Sequence, residues 1–203
     1  MSYLDHAATT PVRAEVAAAM ADAAAGGLGL LGNPSSLHAA GRAARRVLEE
    51  SRERLAAAVG ARPGDVVLTS GGTESDNLAV KGLWWARRDQ DERRTRVLVS
   101  AVEHHAVLDP ARSLVGHGAE LVELPVDAAG RLVLAALEAE LAAHGDRVAL
   151  VSVMAANNEI GGVQPVGRVV ALARHHGVPV HCDAVQGAGQ LPLDLDPAAD
   201  ATP

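Results

Sequence analysis

The chain has 203 residues, 48% hydrophobic and 21% charged, which is enough for one large domain or one and a half small ones with a sizeable core. A net charge of -7 with no Phe, one Tyr and two Trp argues against nucleic-acid or anionic-membrane partners, which call for basic surface and aromatic stacking platforms. No apolar run reaches the ~20 residues of a membrane span, MSYLDHAATTP has neither a basic nor an apolar targeting region, and the single cysteine, Cys182, excludes an intrachain disulfide framework or a Cys-based zinc cluster. The expected location is the cytoplasm.

From Pro11 to about residue 25 an alanine-rich stretch predicts a short helix, stopped at Gly26 and Gly27. GGLGLLGNPSS reads as loop. A long helix is expected from about Leu37 to Val59, where Val47, Leu48, Leu55 and Val59 recur at helical spacing and Gly60 supplies the stop. Beyond it short β-rich runs, VVLTS (66–70), VLVSA (97–101), ELVEL (120–124), VALVSVM (148–154) and VPVHC (178–182), alternate with helical stretches near 74–86, 104–115, 132–143 and 166–176. That alternation predicts an α/β fold with a doubly wound, largely parallel sheet. No internal repeat interrupts it.

Ligands of such sheets gather beyond the carboxyl ends of the strands, and four of the predicted strand ends carry chemistry-bearing residues. TSGGTESDN (69–77) is a strand, a glycine turn and a helix start. Its free first-turn N–H groups and the Thr73 hydroxyl form a candidate anion site; a capping box between Thr73 and Asp76 explains the same residues structurally. It lacks the Lys-Ser/Thr pair of a P-loop and the full GxGxxG spacing.

VEHHAVL (102–108) puts His104 and His105 at a strand-to-helix junction. Adjacent helical side chains diverge by about 100°, and no histidine pair shows HxxxH or HExxH spacing, so no metal site is expected. An imidazole there can stack on a flat ligand or move a proton. MAANNEIGGVQP (154–165) offers two amides and a carboxylate before a glycine pair, ordinary turn residues that can also donate to a ligand oxygen.

In VPVHCDAVQG an apolar run delivers Asp183 where it stops. Strand alternation puts His181 and Asp183 on one face and Cys182 on the other, so Cys182 reads as a small buried hydrophobe. Burying an ionised carboxylate is costly unless a cation meets it. One of the many arginines could be that cation, since of 18 basic residues only Lys81 is a lysine. Beside a phosphate nest, an imidazole and amides, a protonated pyridine nitrogen, as in pyridoxal 5'-phosphate (PLP), is the more specific partner.

Together YLDHAATTP, GNPSSLHAAG, TSGGTESDNLAVKG, VEHHAVL, NNEIGGVQP and HCDAVQGAGQLPLDL resemble, in order and context, the cysteine desulfurases of the class V aminotransferase group, PLP enzymes of fold type I. The resemblance runs from Tyr3 to Leu195. It implies that the Gly72–Thr73 turn and the Thr73 hydroxyl hold the cofactor phosphate, that His104 stacks on the ring and assists proton transfer as the catalytic residue, and that Asn158 lies near the cofactor oxygen and substrate. It further implies that Asp183 pairs with the pyridine nitrogen and Gln186 with the phenolic oxygen. Residues 1–15 would be an N-terminal segment and 16–203 part of a PLP-binding large domain.

The family converts L-cysteine to L-alanine and passes the sulfur to an enzyme persulfide. Its partners are sulfur acceptors, either iron–sulfur scaffolds or thiolation carriers, and it forms homodimers. By the same resemblance the cofactor-anchoring lysine and the sulfur-accepting cysteine belong to loops beyond DLDPAADATP, so the chain is expected to be an N-terminal portion, inactive alone. Lys81 and Cys182 do not match those two positions. Other readings are a selenocysteine lyase or aminotransferase of the same group, and an inactive PLP- or partner-binding module; a dinucleotide-binding domain lacks its glycine fingerprint.

Overall fold

A computed structural model describes residues 2–27 and 32–192; part of the GGLGLLGNPSS loop and the end of HCDAVQGAGQLPLDL lie outside the described residues. The chain divides into two compact units, the first reaching to Leu68 and the second running from Thr69 to Pro192. No helix among the described residues is long and apolar enough to cross a membrane.

In the first unit, helix α1 (Ala14–Ala24) buries none of its residues. Helix α2 (Ala39–Ala58) is capped by His38, whose Nδ1 accepts the Gly41 N–H at 3.2 Å. Gly41 is needed there, because a Cβ would run into the carbonyl oxygens of Ser36 and Asn33. The helix stops at Val59, and Gly60 follows at φ +66°, a left-handed conformation that glycine adopts without strain.

The expected strand VVLTS does not form. Residues 66–69 have no strand pairing, the Val66 carbonyl accepts a bond from the Arg52 guanidinium, and Val67 and Leu68 are 67% and 46% exposed. β-branched composition makes a strand only where an edge pairs with it, and nothing among the described residues pairs with this one.

The second unit holds the sheet. In chain order it contains α3 (Gly72–Gln90), β1 (Arg96–Ser100), α4 (His105–Val115), β2 (Glu120–Leu124), α5 (Leu134–His144), β3 (Val148–Ser152), α6 (Val166–His175) and β4 (Val180–His181). The four strands lie in the order β2-β1-β3-β4 and every pair is parallel. Each strand alternates its side chains between two helical layers. Val97 and Val99 pack with Val80 and Trp84 of α3 and with Val107, Ala111 and Leu114 of α4. Leu98 and Val151 face Leu137 and Leu141 of α5 and Val169 and Ala173 of α6. All of β3 and all of β1 except Arg96 are buried, as expected of central strands covered on both faces.

The strand order reverses at β1: the chain steps outward from β1 to β2, then crosses back to β3 and on to β4. A parallel sheet opens a crevice at such a switch point, beyond the carboxyl ends of the two diverging strands. The segments leaving that crevice are VEHH after β1 and VMAANN after β3. β4 is shorter than the sequence suggests, yet its bonding to the β3 side continues past His181, with the Val153 N–H donating to His181 O at 3.0 Å and Ala155 N–H to Asp183 O at 2.8 Å. That continuation brings Asp183 to the crevice.

Candidate active site

At the start of α3, Gly71 is the N-cap in extended backbone and no side chain caps the helix. The capping box that was the alternative explanation of Thr73 and Asp76 is therefore absent. Asp76 instead turns inward, 4% exposed, with Oδ1 at 3.3 Å from His181 Nε2. His181 Nδ1 lies 2.9 Å from Ser152 Oγ, so this histidine is held within the fold. Glu74 reaches back to accept from the Ser70 amide and hydroxyl, both at 2.6 Å. Those two bonds, the hydroxyl's first, lower its carboxyl pKa. The first-turn amides of α3 remain uncapped donors at the positive end of a 19-residue helix.

Gly72 sits against the turn that follows β4: a Cβ there would come within 2.7 Å of Val185 Cγ2. The glycine thus permits the close approach of the α3 start to the Asp183–Gln186 segment. Asp183 is 8% exposed and its Oδ1 accepts the Val185 N–H at 2.9 Å. None of the ion pairs among the described residues engages it, so the arginine alternative has no support. Gln186 is half-buried in the same turn.

His104 is the N-cap of α4, with Nδ1 accepting the Ala106 N–H at 3.1 Å. That bond makes Nδ1 the acceptor and puts the proton of the neutral ring on Nε2. The ring is exposed and shares with Thr73, Asn77, Lys81 and His105 the walls of a cavity of about 340 Å³. Thr73 and His104 therefore face one opening, whose lining residues do not include Asn158, Asp183 or Gln186.

The two asparagines after β3 divide their tasks. Asn157 donates from Nδ2 to Val102 O at 2.9 Å, and its Oδ1 accepts the amides of Glu159 and Ile160 at 2.9 and 3.0 Å. The side chain of Asn158 makes no such bond among the described residues and is half-buried. One amide builds the turn, leaving the other available. Cys182 is partly buried, and burial first, then the charges of Glu103 and Asp183, push its thiol up to about 12. At neutral pH it holds its proton, which suits a packing role and not a nucleophile.

One residue of the site was missed. Glu103, quoted only as the neighbour of His104, is 6% exposed at the crevice between β1 and β3. Its Oε1 accepts the Met154 N–H at 2.6 Å, while Oε2 is buried with no partner. Burial first, opposed by the Met154 bond and aided by the charges of Asp183 and Asp76, pushes this carboxyl up to about 8. The signal that singled out Asp183, a carboxylate just past a buried strand, applies equally to Glu103.

The residue chemistry fits a phosphorylated, cationic aromatic ring: the uncapped start of α3 and the exposed His104 imidazole share one opening, and the buried Asp183, without an ion-pair partner among the described residues, stands in the turn packed against Gly72.

Residues 2–199 match the Aminotransferase class-V family. The chain is 53% identical over 196 residues to an IscS-like cysteine desulfurase of Mycobacterium tuberculosis, covering 96% of this chain and 49% of that protein. It is 42% identical over 194 residues to the cysteine desulfurase IscS of Dictyoglomus turgidum, covering 96% and 47%. A solved structure of SspA in complex with cysteine superposes with a TM-score of 0.86 at 32% identity, over 97% of this chain and 54% of that one. The chain therefore spans about half the length of the relatives it matches.

Proposed function

The chain belongs to the aminotransferase class-V family, and on that premise we propose that its second unit is the cofactor-holding part of a PLP-dependent cysteine desulfurase, an enzyme that converts L-cysteine to L-alanine and leaves the sulfur as an enzyme persulfide. The observation that carries the reading is Asp183: a carboxylate 8% exposed at a strand's carboxyl end, beside an uncapped helix start, with no ion-pair partner among the described residues. Its complement is a cation arriving with a ligand.

In this reading the amides of the α3 first turn and the Thr73 hydroxyl bind the phosphate, Asp183 holds the proton on the pyridine nitrogen, and Gln186 donates to the phenolic oxygen. His104 lies over the ring and moves a proton at Nε2, the nitrogen its cap bond leaves free. Asn158 orients the cofactor oxygen and substrate. When bound, PLP supplies an electron sink for a substrate carbon that loses its proton. Relatives named as cysteine desulfurases and a structural relative described in complex with cysteine support L-cysteine as substrate. The same likeness supports a cytoplasmic, homodimeric whole protein that hands sulfur to an iron–sulfur scaffold or a thiolation carrier.

The test is a PLP titration of the chain followed by absorbance, with Asp183→Ala and Thr73→Val beside the unaltered sequence. A charge-assisted bond contributes about 1.5–3 kcal/mol, so Asp183→Ala should weaken PLP by about 10- to 100-fold and shift its absorption. Thr73→Val should weaken PLP and leave the affinity for pyridoxal, which lacks the phosphate, unchanged. Equal affinity and an unchanged spectrum for Asp183→Ala would overturn the assignment.

A further inference from the structure

Among the described residues three carboxylates are buried, at or facing the strand ends: Asp76 on α3, Glu103 after β1 and Asp183 after β4. Two have a cation in prospect. Asp76 faces His181 Nε2 at 3.3 Å, and Asp183 faces the cofactor ring if the preceding reading holds. Glu103 has neither. The groups acting on it are Asp183 and Asp76, together with the Cys182 thiol that its own charge affects, and every one of them is anionic or a neutral acid. An ionised carboxylate there would hold one fully buried oxygen without a donor among the described residues, against two like charges, an arrangement that is strongly disfavoured.

A proton on Oε2 eases this. It removes the like-charge repulsion and leaves a neutral acid, which costs far less to bury than an ionised one. Oε1 meanwhile keeps the Met154 N–H at 2.6 Å. The next residue along, Ala155, donates its N–H to Asp183 O at 2.8 Å and accepts the Gln164 N–H at 3.0 Å. The Asn157 bond to Val102 O at 2.9 Å ties the same two segments a second time.

We propose that Glu103 is a positioning residue: a neutral carboxylic acid that clasps the segments leaving β1 and β3, fixes through Ala155 the backbone of Asp183, and by carrying no charge reserves the cofactor's cation for Asp183. The part concerning the cation rests on the function proposed above.

The sign of its pH dependence follows from linkage. Glu103 releases its proton near 4.5 when unfolded and near 8 when folded. Its contribution to stability is full below pH 4.5 and is lost as pH rises through 8. Thermal midpoints of the unliganded chain and of Glu103→Gln, measured from pH 5 to 9, read this directly. Glutamine keeps an acceptor for Met154 and a donor at the second position, and it does not titrate. The two midpoints should agree near pH 5, and Glu103→Gln should become the more stable by several degrees toward pH 9. Parallel profiles would mean that Glu103 is ionised, overturning the proposal.

Titration with PLP then tests the positioning role. Glu103→Gln should hold PLP within about threefold of the unaltered chain, and Glu103→Ala, which strips the clasp, should lose about tenfold. Equal loss in both, or in neither, overturns that role; where Glu103→Ala does not fold, the glutamine variant decides. If the unaltered chain binds no PLP, the cofactor reading fails, while the pH profile, which needs no ligand, still decides the state of Glu103.

Discussion

Helix α1 and strand β3 show two ways in which apolar residues become structure. Both are rich in Ala, Val or Leu, yet α1 has no buried residue and β3 has no exposed one. The helix closes its hydrogen bonds within itself, so high alanine propensity suffices to define it locally. The strand exists only through its neighbours, paired with β1 on one side and β4 on the other and covered by helices on both faces. What an apolar residue contributes is therefore decided by its address. VVLTS makes the same point from the other side, being as β-prone as β1 and without a partner strand among the described residues.

The sharpest way to break that comparison is to delete equivalent apolar groups in both regions. Leu150 of β3 is fully buried, whereas Val16 of α1 is 44% exposed. Leu150→Ala should cost about 2–5 kcal/mol, the transfer term plus a cavity, and Val16→Ala should stay within about 0.5 kcal/mol. Urea unfolding followed by circular dichroism measures both. Comparable losses would mean that α1 is covered in solution.

The same distinction explains what could be read from the sequence. The alternation of β-rich and helical runs announced the parallel sheet, and four of the six helices among the described residues begin and end within two residues of the expected bounds; α1 starts at Ala14 and not Pro11, and α3 is longer at both ends. Periodicity carries that information locally. The failure at 66–70 came from pairing, which no single run encodes. Among the site residues, Thr73 and His104 could each be read as standing at a helix start, and the structure shows them lining one cavity. The capping-box alternative for Thr73 and Asp76 rests on spacing alone; which way a carboxylate turns depends on His181, more than 100 residues away in the chain. Glu103 was overlooked because two adjacent histidines drew attention from the acid beside them.

A smaller effect separates the two asparagines after β3. Asn157 satisfies Val102 O and two turn amides, so Asn157→Ala removes one part-buried and two exposed bonds and should cost about 1–3 kcal/mol. Asn158 makes no hydrogen bond through its side chain among the described residues, so Asn158→Ala should leave stability unchanged and weaken only ligand binding. Thermal midpoints and PLP titrations of both variants check the division. A stability loss at Asn158, or none at Asn157, would reverse the assignment of the two amides.

The two histidine N-caps give the finest comparison, because they match in local geometry and stand one in each unit. His38 caps α2 at φ -75° and ψ 169°, and His104 caps α4 at φ -68° and ψ 155°, each accepting a backbone N–H through Nδ1. Replacing either by alanine should cost about 0.5–2 kcal/mol, the usual loss when a cap goes. Asparagine restores a cap acceptor without restoring a ring, so both His→Asn variants should recover most of that stability. Their ligand behaviour should then diverge: His38→Asn should bind PLP as the unaltered chain does, while His104→Asn, folded and capped, should lose the altered ring absorption that stacking produces. Capping is a task that many side chains can perform, and a planar ring with a free Nε2 at the mouth of the crevice is a task for very few. If His104→Asn keeps both affinity and spectrum, His104 serves only as a cap, and the proton at Nε2 has no part in the site.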